Sequence, residues 1–151
     1  MDHDTFIGQV QHRAHLDSRG AAETATRATL ETLAERVPAG LADKLAAQLP
    51  REVGENLRRV ATAPDQPATG MHMSNREFFE RVATRAQANT AKAAHEARCV
   101  MEVVSEATGG SLTEKVRQSL DHDLAESLFA GSSGNSYPGA GGAARGGGGR
   151  R

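Results

Sequence analysis

The chain has 151 residues, 38% of them hydrophobic, with no Trp, one Tyr and four Phe; so few aromatic and β-branched residues argue against a β-rich fold. Eighteen Lys and Arg nearly balance nineteen Asp and Glu. The balance is uneven, because residues 1–130 hold fifteen of the basic and all nineteen of the acidic residues, a net of −4, which excludes a basic footprint for nucleic acid over that part.

The first helix is predicted to start near Asp4 and run to Ala14, with Phe6, Val10 and Ala14 on one face at i, i+4, i+8. Asp17 and Ser18 are the N-cap candidates of a second, longest helix with a core face of Ala22, Ala25, Leu30, Leu33 and Val37. Pro38-Ala-Gly40 breaks it. A short third helix follows, lined by Leu41, Leu45 and Leu49, and Pro50 fits the first turn of a fourth, whose face is Val53, Leu57 and Val60. Residues 61–73 contain Pro64, Pro67 and Gly70 and read as a linker.

The same series then recurs. Ser74 and Glu77 form a capping box ahead of Phe78, Val82 and Ala86. Asn89 and Thr90 precede a long helix with Ala93, Ala97, Val100, Met101 and Val104 on its core face. Gly109-Gly110 breaks it, Ser111 and Glu114 suggest a further capping box, and Leu112, Val116 and Leu120 line the next helix. Leu124 and Leu128 line the last. Phe6/Phe78, Val10/Val82 and Arg13/Arg85 are 72 apart; after one residue is dropped near Gly20 the offset is 71, from Arg27/Arg98 through Glu31/Glu102 and Glu35/Glu106 to Leu57/Leu128. A shared register of this length implies one helical unit built twice. The expected fold is all-α: two tandem four-helix repeats, 2–60 and 74–130, packed into one bundle spanning 1–130, because a unit of under about 60 residues with so few large apolar side chains is marginal alone. Residues 131–151, nine of them Gly, with Arg145, Arg150 and Arg151 the only charges, are expected to be a disordered tail.

Each candidate site competes with an ordinary explanation. His12 and His15 lie at i, i+3 and amount to half a zinc site, which Asp2, Asp4 or Asp17 could extend; solvated surface histidines are the expected reading. Asp121-His122-Asp123 resembles a reactive cluster, but Asp at a helix start is accounted for as an N-cap. Met71-His72-Met73 offers soft ligands suited to copper, in a linker. Cys99 is read as a small buried hydrophobe with no histidine at helical spacing to serve as its base. Arg27, Glu31, Glu35 and Arg98, Glu102, Glu106 are spaced i, i+4, i+8 in both copies. They could be paired carboxylates for a metal or for acid–base work, and are read instead as Arg–Glu pairs on a solvated face. No catalytic, cofactor-binding or metal-ligating residue is therefore assigned, and no cofactor is expected.

The Asp4-x-Phe6 start, the run Ala-Thr-Arg-Ala-Thr-Leu-Glu-Thr-Leu-Ala-Glu-Arg at 25–36 and Leu-Ala-Ala-Gln-Leu-Pro-Arg-Glu at 45–52 resemble the bacterial family catalogued as domain of unknown function 2267. The resemblance covers about residues 2–130 and is closer in the first copy. The second departs where Leu49-Pro50-Arg51-Glu52 becomes Leu120-Asp121-His122-Asp123 and where Pro-Ala-Gly becomes Gly-Gly. It implies a tandem all-helical module of unassigned activity, with no catalytic residues to carry over.

The expected function is accordingly a non-catalytic helical interaction module that binds another protein or itself. The alternative is a weak nucleic-acid-associated protein, resting on the helix–turn–helix joints and the Arg-bearing tail; its would-be recognition helices carry only Lys44, Lys115 and Arg117. An enzyme is not expected. The single Cys excludes an intramolecular disulfide and suits a reducing cytosol. No apolar run approaches the roughly 18 residues of a membrane span, and Met-Asp-His-Asp lacks the features of a signal peptide, so a cytoplasmic location without a membrane partner is expected.

Overall fold

In the computed structural model, which describes residues 1–62 and 72–131, the chain opens with α1 (His3–Ala14), capped by Asp2, whose Oδ1 accepts from the Thr5 N–H at 2.8 Å. It is followed by α2 (Arg19–Arg36), α3 (Ala39–Gln48), α4 (Arg51–Ala61), α5 (Asn75–Ala86), α6 (Thr90–Thr108), α7 (Gly110–Gln118) and α8 (His122–Leu128). No strand occurs among the described residues, so the fold is all-α. Most of the reading of residues 61–73 and almost all of the reading of the 131–151 tail fall outside the described residues.

The caps explain where the helices begin. Ser18 accepts from Ala21 N–H, Asn89 from Lys92 N–H, and Ser74 and Glu77 complete their capping box. The box expected at Ser111 and Glu114 does not form. Gly109 adopts φ +78° and takes the N-cap position, so α7 starts at Gly110 and Ser111 already lies inside its first turn. Pro38 and Pro50 stand one residue earlier than a first-turn proline, at the N-cap positions of α3 and α4.

α1 and α5 end alike. His15 and Gln87 are left-handed at φ 55°, ψ 47°, and the next residues, Leu16 and Ala88, each donate a backbone N–H five residues back, to Gln11 and Ala83 at 3.0 Å. These bonds are 72 apart in sequence, whereas the following caps, Ser18 and Asn89, are 71 apart.

The long helices α2 and α6 pack against each other; α1 lies on both of them, and so does α5. Ala22, Ala25, Ala28 and Ala93, Ala94, Ala97 are almost wholly buried, and these small side chains permit close approach. Phe6, Ile7, Leu30, Leu33, Phe78, Phe79, Met101 and Leu128 belong to one continuous cluster drawn from both ends of the described chain. The Phe78 and Phe79 rings meet edge to face, 5.5 Å between centroids. Met73, read as linker, is instead fully buried in that cluster, so its thioether is taken up by packing.

The two ends differ in how their short helices sit. α3 and α4 pack closely on each other and α4 packs on α2, whereas α8 turns to α6 and α5 and has little contact with α7. Gly54 accounts for the first arrangement: a Cβ built there would stand 2.6 Å from the Ala46 carbonyl oxygen. At the position 71 residues on stands Ala125, whose methyl group forbids so close an approach. Gly54→Ala is expected to destabilise the protein by about 1–3 kcal/mol, the usual penalty of overpacking against atoms that cannot move aside, even though Ala is the better helix former. Urea denaturation checks this, and an unchanged or raised midpoint would show that α4 can slide at no cost.

Candidate functional site

The acidic stripes on the long helices are met by arginines of neighbouring helices, and on α2 they are largely covered, whereas Glu106 on α6 stays half exposed. Arg13 of α1 reaches α6, where its Nη1 and Nη2 donate to both oxygens of Glu106 at 2.9 and 2.7 Å and its Nη1 also donates to Glu102 Oε1 at 2.9 Å. Gln9, one turn earlier, accepts from Arg13 Nε and Nη2 and holds the guanidinium in place. Arg85 of α5 reaches α2 in the same manner. Its Nη1 donates to Glu35 Oε1 at 3.1 Å and Thr32 Oγ1 at 2.7 Å, and its Nε lies 3.4 Å from Glu31 Oε1. Arg81 adds a contact to Glu35 at 3.2 Å, and Arg59 one to Glu31 at 3.0 Å.

These pairs correct the expectation of a solvated Arg–Glu ladder along one helix. Glu35 is 9% exposed, and the intrahelical pair Arg27–Glu31 is the longest of the Glu31 contacts at 4.0 Å. Charge-assisted bonds between neighbouring helices dominate. An acid–base carboxylate must exchange a proton with a substrate; here Glu35 meets both Arg81 and Arg85, and Glu106 is engaged through both oxygens. The Glu106 bonds hold Arg13 more firmly protonated than an isolated arginine.

Cys99 is fully buried, as expected, but it has a histidine at helical spacing that the sequence reading overlooked. His95 lies four residues earlier, with Nε2 3.7 Å from Cys99 Sγ. The pair does not favour a thiolate–imidazolium couple. Burial, then the Glu102 carboxylate, pushes the thiol up to about 11, while burial, then Arg98 and His15, holds His95 below the ordinary imidazole range. A thiol with this pKa is a poor nucleophile at neutral pH. Because its folded pKa lies above the unfolded value, the stabilising contribution is complete below about pH 8.5 and is lost as pH rises through about 11. Over that interval the wild type is expected to lose about 3 kcal/mol relative to Cys99→Ala. Denaturation of both proteins at matched alkaline pH gives the difference, and parallel curves would mean that the thiol ionises freely in the folded state.

The remaining candidates are dispersed. His12 and His15 are exposed, and among the described residues no three His, Cys, Asp or Glu side chains lie close enough to hold a metal ion. Asp121 occupies the N-cap position of α8 but makes no side-chain cap bond. It tethers the end of α2 to the approach to α5 instead, through Arg36 Nη2 at 3.5 Å and His72 Nε2 at 3.3 Å. His122 faces solvent beside Glu126 at 3.7 Å. Two open grooves run along α5, one past Glu77, Arg81 and Arg85, the other past Ala83, Gln87 and Asn89. Among the described residues no helix is long and apolar enough to cross a membrane.

Against known proteins, no curated sequence matches the chain. A family model described as "Uncharacterized conserved protein (DUF2267)" matches residues 3–127, and so takes in every described helix from α1 to the end of α8 but for its last residue. The chain belongs to the DUF2267 family.

Proposed function

We propose that this protein is a non-catalytic interaction module: a four-helix unit built twice, closed on itself about a pseudo-twofold axis, that presents its outer helix faces to another protein or to a second copy. The observation that carries the reading is the reciprocal engagement of the recurring charges. Arg13 and Arg85 are 72 apart, and each reaches the Glu pair on the opposite long helix, Glu102/Glu106 and Glu31/Glu35. A duplicated unit that packs on its twin produces such an exchange. It also favours a structural role for the acid–base candidates. The left-handed ends at His15 and Gln87 support the same duplication.

The faces left over carry exposed side chains of both signs: Lys44 on α3, Arg51, Glu52 and Glu55 on α4, Glu114, Lys115 and Arg117 on α7. Mixed charge suits recognition of a protein surface of complementary pattern better than a uniformly negative polymer. A reducing, cytoplasmic setting accords with the single buried thiol.

Light scattering of the full chain across a concentration series, followed by reconstitution with each purified co-isolating protein, tests the proposal. A concentration-dependent dimer or a stoichiometric complex that survives near-physiological salt supports it. A monomer that forms no such complex but is retained on DNA, with retention lost steeply as salt rises, would transfer the case to the nucleic-acid reading. A turnover abolished by Glu35→Gln with the fold intact would overturn the non-catalytic assignment.

A further inference from the structure

Arg98 is the described arginine whose charge the packing leaves uncompensated. It is 4% exposed, and its Nε has no hydrogen-bond partner among the described residues. The carboxylate one helical turn onward, Glu102, accepts from Arg13. Arg27, the residue aligned with Arg98 in the other half of the sequence, shows the contrast: its side chain is 45% exposed and lies 4.0 Å from Glu31. Water can solvate Arg27, whereas Arg98 has neither water over most of its surface nor a described counter-charge, an arrangement far more costly than a surface charge.

The neighbourhood adds donors. His95 precedes Arg98 by three residues and so shares its face of α6. His15, at the left-handed end of α1, is close enough to act electrostatically on His95. Arg13, Arg98 and Glu102 all act electrostatically on Cys99, and α1 packs against α6. The end of α1 therefore brings a second imidazole to the turn of α6 that carries Arg98. Burial first, then the neighbouring Arg98, holds His95 below the ordinary imidazole range, and a neutral ring still has one N–H to donate.

We propose that Arg98, with His95 and His15, binds a small oxyanion, a carboxylate or a phosphate group, at the junction of α1 and α6. The guanidinium supplies the opposite charge and a planar pair of donors that matches two oxygens. The imidazoles supply N–H donors to the oxygens that remain. The site is independent of the acidic pairs already described, since Glu102 and Glu106 would repel the anion and are turned to Arg13.

Calorimetric titration and thermal unfolding of the full chain, at constant ionic strength in chloride, provide the test, with inorganic phosphate in one arm and acetate in the other. One of the two anions is expected to bind saturably and to raise the melting temperature in step with its occupancy. Arg98→Gln should weaken that binding at least tenfold, Arg27→Gln should leave it unchanged, and His15→Ala, at an exposed position where the fold is not at risk, should weaken it severalfold. Saturation in the phosphate arm alone identifies a phosphoryl ligand, and saturation in the acetate arm a carboxylate. Absence of a saturable response to both, or an equal response from wild type and the Arg98 and His15 variants, overturns the proposal.

Discussion

Leu33→Ala is expected to destabilise the protein by about 2–5 kcal/mol, the range for truncating a fully buried leucine in a core that relaxes only in part. Leu33 is 0% exposed and sits on α2, which packs against α1, α4, α5 and α6. Arg27→Ala, two turns earlier on the same helix, should cost under about 1 kcal/mol, because its ion pair is long and half exposed. Urea denaturation of the two variants side by side separates core from surface on α2. Equal losses would mean that the buried face of this helix has been misassigned.

The second large effect concerns the arginines that reach across to the opposite long helix. Arg85→Ala strips Glu35 of one of two cations and leaves the Thr32 hydroxyl without its donor, both in buried positions. A loss of about 2–3 kcal/mol is expected, below the full value for a severed buried pair because Arg81 still holds Glu35 and Arg59 still holds Glu31. Arg13→Ala should cost less, about 1 kcal/mol, since the Glu106 side chain is 52% exposed and water takes over part of the role. A double-mutant cycle between Arg85 and Glu35 isolates the coupling. Additive losses, with no coupling beyond experimental error, would refute the view that these charges hold neighbouring helices together.

Much of this architecture is legible in the residues. The stripes Phe6–Val10–Ala14, Leu30–Leu33–Val37 and Met101–Val104 are buried as their spacing predicts, because 3.6-residue periodicity is a local property that tertiary contacts seldom reverse. The caps at Ser18, Ser74 and Asn89 are local too. Three features resisted. The destination of Glu31, Glu35, Glu102 and Glu106 depends on which helix lies alongside, and no spacing within one helix reveals a partner 89 or 93 residues away; the matched pair Arg13/Arg85 was the available clue. Met73 looked like linker because Pro64, Pro67 and Gly70 precede it, yet its apolar side chain is drawn into the core. The Ser111 box was displaced by the positive φ of Gly109, which lets the chain reverse two residues sooner. The neighbour of Cys99 was of another kind: His95, at i−4, was readable from the sequence.

Gly54 also bears on the order in which the molecule assembles. The contact it permits joins α3 to α4 across a turn of a few residues, so it can form as soon as that hairpin has collapsed. The Arg13 bonds to α6 must close a loop of about ninety residues, a far larger loss of chain freedom before any contact is gained. The hairpin is then expected to form early and the α1–α6 seam late. Substitution of Gly54 should chiefly slow refolding, and substitution of Arg13 should chiefly hasten unfolding. A chain emerging from the ribosome would hold a finished α3–α4 corner, with Arg59 at hand for Glu31, while Glu35 still waited for Arg81 and Arg85.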